Sequence, residues 1–200
     1  MQNKTLNHKR FFWFVSVSTA QSDVASQVVV IAGGPCSGKT TLIKELKNRG
    51  RETVPETAEE VIKSGLEAGL SVEEQRKDPV AWQMDLLKKD FMLFDGLMAS
   101  GKLVFTDTSF IETVVFGARA GIEMTPEVEK WIKGKRYHKV FFLGTEDDYR
   151  SSKVRMETEK VALQISQQVK DAYSRYGYQL VEVPSKMSLD QRIAFILGKL

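Results

Sequence analysis

Cysteine is almost missing from this chain: Cys36 stands alone among 200 residues. A single thiol excludes an internal disulfide framework and fits a reducing compartment. With only His8 and His138 beside it, the ligands for a zinc cluster are too few. Long apolar runs are missing too. Nothing approaches the ~18 uninterrupted residues of a membrane span, so none is expected. Charge of one sign is also not in excess, and a formal net charge of +3 offers no argument for a nucleic-acid partner. What remains is an ordinary globular composition, 42% apolar and 28% charged, in a chain long enough for one domain with a buried core.

The apolar runs that do occur are strand-sized and alternate with helical stretches. Strands are predicted at Val28–Ala32, Arg51–Pro55, Leu103–Thr106, Val140–Leu143 and Gln179–Val183. Helices are predicted over Thr41–Arg49, Thr57–Ser64, Pro79–Ser100, Ser109–Ala120, Pro126–Lys133, Tyr149–Tyr176 and Leu189–Leu197. Gly50, Gly65 and Gly101 stand where three of these should stop, and Pro79 suits a first turn. Strands separated by helices pair in parallel through crossovers. The expected fold class is a three-layer α/β/α sandwich with a mainly parallel sheet of about five strands.

Directly after the first strand, Gly33, Gly34, Pro35, Cys36, Ser37, Gly38, Lys39, Thr40 and Thr41 fit the G-x-x-x-x-G-K-[ST] pattern of a P-loop. The glycines let backbone N–H groups approach phosphates closely, and the following helix aims its N-terminus at negative charge. Lys39 is expected at the β- and γ-phosphates and the Thr40 hydroxyl on Mg²⁺. The ligand is a nucleoside triphosphate. ATP is the default because no guanine-reading N/T-K-x-D segment follows the loop, and GTP stays open. Cys36 reads as a small residue the loop tolerates.

Two carboxylates end predicted strands, where open α/β sheets place chemistry. Asp107 closes Lys-Leu-Val-Phe-Thr-Asp and is the candidate Walker-B acid, linked to Mg²⁺ or to the acceptor. The alternative role, a helix N-cap, suits Ser109 better. Glu56 follows Val54-Pro55 and could accept a proton from a substrate hydroxyl, or simply sit in a first helical turn. Glu59 and Glu60 read as a solvated helix face. Trp82, Phe91 and Phe94 read as core, although Trp82-Gln83 could line an acceptor pocket.

The loop, the Val-Pro-Glu-Thr-Ala segment at 54–58 and the Phe-Thr-Asp-Thr-Ser segment at 105–109 together resemble the NadR-type AAA domain family, over about residues 27–198. That family holds P-loop NTPases and nucleoside-kinase-like domains. The resemblance implies Lys39 and Thr40 at the phosphates and Mg²⁺, Asp107 at the metal or acceptor, and Glu56 near the acceptor. The chain departs from the family where kinase-type members often carry an acid and it has Ser109. It also departs near Glu59 and Glu60, where many relatives carry arginine.

In small-molecule P-loop kinases a lid in the position of residues 146–160 supplies arginines to the transferred group. Arg150 and Arg155 are the candidates here, with Lys153 and Lys160 as surface residues. Pro184 and Ser185, after the last strand, could frame the nucleotide base or form a plain strand-to-helix turn. At the N-terminus, His8-Lys9-Arg10 precedes Phe11–Val15 in the manner of a leader. A nucleotide-binding domain argues instead for a cytoplasmic location, with residues 1–26 as an extension and 27–200 as the domain. The leading expectation is an ATP- and Mg²⁺-dependent phosphotransferase acting on a small hydroxylated or nucleoside-like acceptor. The alternative is a regulatory module with slow hydrolysis and a protein or lipid partner, using the basic and aromatic N-terminus.

Overall fold

A computed structural model describes residues 26–144 and 159–200. Arg150, Arg155, Lys153 and all but the last residue of the expected extension 1–26 lie outside the described residues.

Val28 to Ala32 are fully buried because the central strand β1 (Gln27–Gly33) is covered on both faces. It pairs in parallel with β3 (Leu103–Thr106) on one side and β4 (Lys139–Leu143) on the other, with Val29 opposite Phe105 and Ile31 opposite Phe141. The edges are β2 (Thr53–Val54) and β5 (Leu180–Val183), giving the order β2-β3-β1-β4-β5. All four pairings are parallel, as the alternation of strands and helices required.

The helices are α1 (Lys39–Asn48), α2 (Thr57–Glu67), α3 (Val72–Gln75), α4 (Pro79–Met98), α5 (Phe110–Arg119), α6 (Pro126–Gly134), α7 (Glu159–Arg175) and α8 (Leu189–Leu197). Alternate residues of β1 point to opposite layers. Val29 and Ile31 pack on Leu42, Ile43 and Leu46 of α1 and on Ile193 and Ile196 of α8. Val28, Val30 and Ala32 face the layer built from α4, α5, α6 and α7, where Phe94, Phe110 and Ile165 are buried. Phe91 stacks on Trp131 with centroids 3.7 Å apart, and Phe94 meets Phe110 edge-on. These two phenylalanines are core. Trp82 is not: it is half-buried beneath the Arg76 guanidinium.

Several elements differ from the sequence pattern. Helix α2 runs through Gly65 rather than stopping there, because the missing side chain makes room for Gln75. A Cβ at Gly65 would lie 2.1 Å from the Gln75 amide, whose nitrogen donates to the Ile62 carbonyl at 3.2 Å. The chain turns instead at Gly69, in the left-handed region at φ 85°. The short α3 was not anticipated, although Ser71 and Glu74 form a capping box at its start. Strand β2 has two residues rather than five. The Arg51 N–H is taken by the Leu46 carbonyl of α1, and Pro55 has no N–H to offer.

Candidate active site

The loop after β1 turns sharply. Gly38, at φ 88°, is the N-cap of α1, and Cys36 holds a left-handed conformation at φ 60°. A Cβ on Gly34 would lie 2.8 Å from that of Ser166 and 3.2 Å from the Ala162 carbonyl, so α7 packs directly on the loop. Helix α1 begins at Lys39, two residues earlier than its apolar pattern suggests, which brings the Lys39, Thr40 and Thr41 N–H groups into the open first turn. The Lys39 Nζ donates to the carbonyls of Gly33 at 2.8 Å and Gly34 at 3.1 Å.

Strand β3 lies beside β1, and Asp107, the residue directly after it, is 1% exposed. The Thr40 hydroxyl donates to Asp107 Oδ2 at 2.7 Å, so the loop threonine and the strand-end acid meet. Burial pushes the Asp107 carboxyl up to about 6, against the pull of the Lys39 cation and the Thr40 hydroxyl. Asp107 Oδ1 is buried without a hydrogen-bond partner, as is Ser37 Oγ. An orphaned carboxylate oxygen beside a threonine hydroxyl is the hard-oxygen donor set that Mg²⁺ takes when it also binds phosphate and water. The residues present therefore fit Mg²⁺. Ser109 caps α5, its hydroxyl accepting from the Glu112 N–H at 3.1 Å and also meeting the Tyr173 hydroxyl at 2.7 Å.

Glu56 stands at the N-cap position of α2 but makes no side-chain cap bond. It is half-buried, and its charge helps to raise the carboxyls of Asp107, Asp90 and Glu112. Gln83, in the second turn of α4, has a buried Oε1 without a partner. The turn at Pro184 and Ser185 joins β5 to α8, and Arg192 of α8 donates to the Ser185 carbonyl at 2.6 Å and to the Met187 carbonyl at 3.0 Å. The same guanidinium lies 3.5 Å from where a Gly38 Cβ would stand, so this turn borders the loop after β1. Lys160 is exposed.

Two buried carboxylates escaped the sequence pattern. Glu112 Oε1 accepts from the Gly33 N–H at 3.2 Å, fixing the first residue of the loop. Burial pushes its carboxyl up to about 8, with Lys39 and the Gly33 N–H pulling it back. Asp90 is 2% exposed and accepts from the hydroxyls of Thr57 at 2.6 Å, Thr108 at 3.3 Å and Thr113. Asp90 interrupts the apolar stripe of α4 between Leu86, Leu87 and Phe94, and Glu112 stands among the buried residues of α5, yet a carboxylate reads as surface by its charge. The signals available were that interruption and the Ser109-x-x-Glu112 spacing, which is that of a capping box.

No curated protein matches the chain. Among solved structures it is similar to NadR protein in complex with NR, at 17% identity and a TM-score of 0.63, over 87% of this chain and 51% of that one. The chain thus spans about half the length of the NadR chain. Deoxyadenosine kinase from M. mycoides, solved with dCMP and dCDP, is similar at 16% identity and a TM-score of 0.58, over 86% of this chain and 98% of that one. A YorR protein from Bacillus subtilis, in complex with phosphorylated GDP, is similar at 18% identity and a TM-score of 0.54, over 86% of this chain and 95% of that one. At these identities the likeness shows a shared fold, that of P-loop NTPases with nucleoside kinases among them. A family model described as an AAA domain matches residues 28–192, and the chain belongs to that family.

Proposed function

We propose that this protein is a phosphotransferase that moves the γ-phosphoryl group of ATP, with Mg²⁺, to a hydroxyl of a small nucleoside-like acceptor. The observation that carries this reading is the meeting of Thr40 and Asp107 at 2.7 Å, with Asp107 Oδ1 unpartnered and a second, uncapped carboxylate, Glu56, at the neighbouring strand end. The fold shared with nucleoside kinases supports the acceptor class.

The N–H groups of Gly34 and of residues 36–41 would cradle the triphosphate, with Ser37 Oγ as one more hydrogen-bonding group. Lys39 would leave its two loop carbonyls for the β- and γ-phosphate oxygens, adding a charge-assisted bond. Thr40 and Asp107 would hold Mg²⁺, which when bound neutralises charge on the phosphate oxygens. Glu56 would orient the acceptor hydroxyl and take its proton. The unpartnered Gln83 Oε1 would accept a hydrogen bond from the acceptor. Pro184 and Ser185, beside the loop, would border the base. Arg150 and Arg155 are proposed for the transferred group from the segment outside the described residues. A cytoplasmic location, where ATP is held at high concentration, fits this chemistry.

The test is transfer from γ-labelled ATP to a panel of nucleosides and nucleoside-like vitamins, separated by chromatography. Wild type should label at least one acceptor. Glu56→Gln should lose on the order of 10²-fold or more in kcat while binding Mg-ATP normally. A wild-type protein that labels no acceptor, or a Glu56→Gln variant with unchanged kcat, would overturn the assignment.

A further inference from the structure

The two strand-end carboxylates, Glu56 and Asp107, come from separate stretches of chain, and productive transfer needs them held at a fixed spacing. The sheet alone does not hold both. The ladder between β2 and β3 ends where the Asp107 N–H donates to the Val54 carbonyl at 3.1 Å. Pro55 then offers no N–H, and Glu56 makes no side-chain cap bond. The next residue, Thr57, is the first with a side-chain tie to another element: its hydroxyl donates to Asp90 Oδ1 at 2.6 Å.

Asp90 is buried in the interior of α4, an element separate from both strands. Its Oδ1 also accepts from Thr108, the neighbour of Asp107, at 3.3 Å, and its Oδ2 accepts from Thr113 of α5. One carboxylate therefore binds the residue after Glu56 and the residue after Asp107. We propose that Asp90 is a positioning residue for phosphoryl transfer, setting the spacing of Glu56 and Asp107 through Thr57 and Thr108.

Asp90 itself does not reach an acceptor. It is 2% exposed, and the cavity against it, bordered by Phe94, Thr106, Thr108 and Tyr137, has a volume of about 10 Å³, about one water in size. Three hydroxyl donors compensate a buried carboxylate for the water it has lost, which accounts for its being tolerated there. A purely structural role would use these bonds only to hold α4 against its neighbours. The two roles differ in what the individual threonines do.

This inference rests on the phosphotransferase reading, and its test separates the two. Thr57→Val, Thr113→Val, Asp90→Ala and Asp90→Asn are compared for kcat and KM of the acceptor, Mg-ATP affinity and melting temperature. Thr57→Val should lower kcat about tenfold or more and leave Mg-ATP affinity within about twofold, since misplacement by about 1 Å can cost on the order of 10²-fold. Thr113→Val, which frees only α5, should lower the melting temperature with kcat kept. Asp90→Ala should lose the most, and Asp90→Asn, which keeps one acceptor oxygen for Thr57 and Thr108, should recover most of kcat. Equal kcat in wild type and Thr57→Val, or losses in kcat that track melting temperature across the set, would overturn the proposal. Should wild type transfer to no acceptor, the phosphotransferase reading falls and crystal structures of wild type and Thr57→Val decide this one. A shift of Glu56 relative to Asp107 by about 1 Å supports it, and superimposable carboxylates overturn it.

Discussion

Glu112 makes the folded protein hold a proton that the unfolded chain releases. Its carboxyl rises from an ordinary 4.5 to about 8, mainly through burial. The folded state binds this proton up to about pH 8, whereas the unfolded state loses it above 4.5, so stability falls as pH rises between the two. The contribution is fully present below 4.5 and fully lost above about 8. Each unit of separation corresponds to about 1.4 kcal/mol. Between pH 5 and pH 8 this single group should therefore remove about 3 kcal/mol from the stability of the folded protein. Glu112→Gln keeps an oxygen for the Gly33 N–H and has nothing to ionise. The amide adds a donor that needs a partner, a cost that is constant with pH. The informative quantity is thus the difference between variant and wild type at each pH, measured by urea unfolding followed through tryptophan fluorescence. That difference should shift by about 3 kcal/mol in favour of the variant between pH 5 and pH 8. Parallel pH profiles, with a shift below about 0.5 kcal/mol, would refute the claim that Glu112 is held neutral by its burial.

Other substitutions probe single contacts. Lys39→Met should weaken Mg-ATP binding about ten- to hundredfold, the worth of a charged hydrogen bond to phosphate, as read by titration calorimetry. Ser109→Ala removes the cap of α5 and the partner of the Tyr173 hydroxyl, and should cost about 0.5–2 kcal/mol in chemical denaturation. Gly34→Val drives a side chain into Ser166 and the Ala162 carbonyl of α7. It should cost about 1–3 kcal/mol of stability and weaken nucleotide binding in the same calorimetric titration.

The loop after β1 was legible because its features are local: Gly33 to Thr41 carry the sharp turn, the helix start and the Lys39 cation in one run. Asp107 was legible as an acid ending an apolar strand, and Ser109 as a cap three residues before Glu112. Asp90 and Glu112 were not, because a carboxylate in a helix reads as solvated surface until its partners are known. Those partners, Thr57, Thr108 and Thr113 for Asp90 and the Gly33 N–H for Glu112, come mostly from distant stretches of chain. Gly65 misled for the same reason. Its helix continues because Gln75, ten residues on, occupies the space a side chain would fill. Glu56 stands two residues past β2 at the N-cap position of α2, and the missing side-chain cap bond sets it apart from an ordinary helix start.

The central claim is that this site delivers phosphoryl groups to an acceptor rather than to water. Phosphorus NMR of wild-type protein turning over Mg-ATP with the nucleoside panel reads that partition directly. The account predicts a new phosphomonoester resonance growing in step with ADP. Accumulation of inorganic phosphate alone, in step with ADP and indifferent to every acceptor, would contradict it.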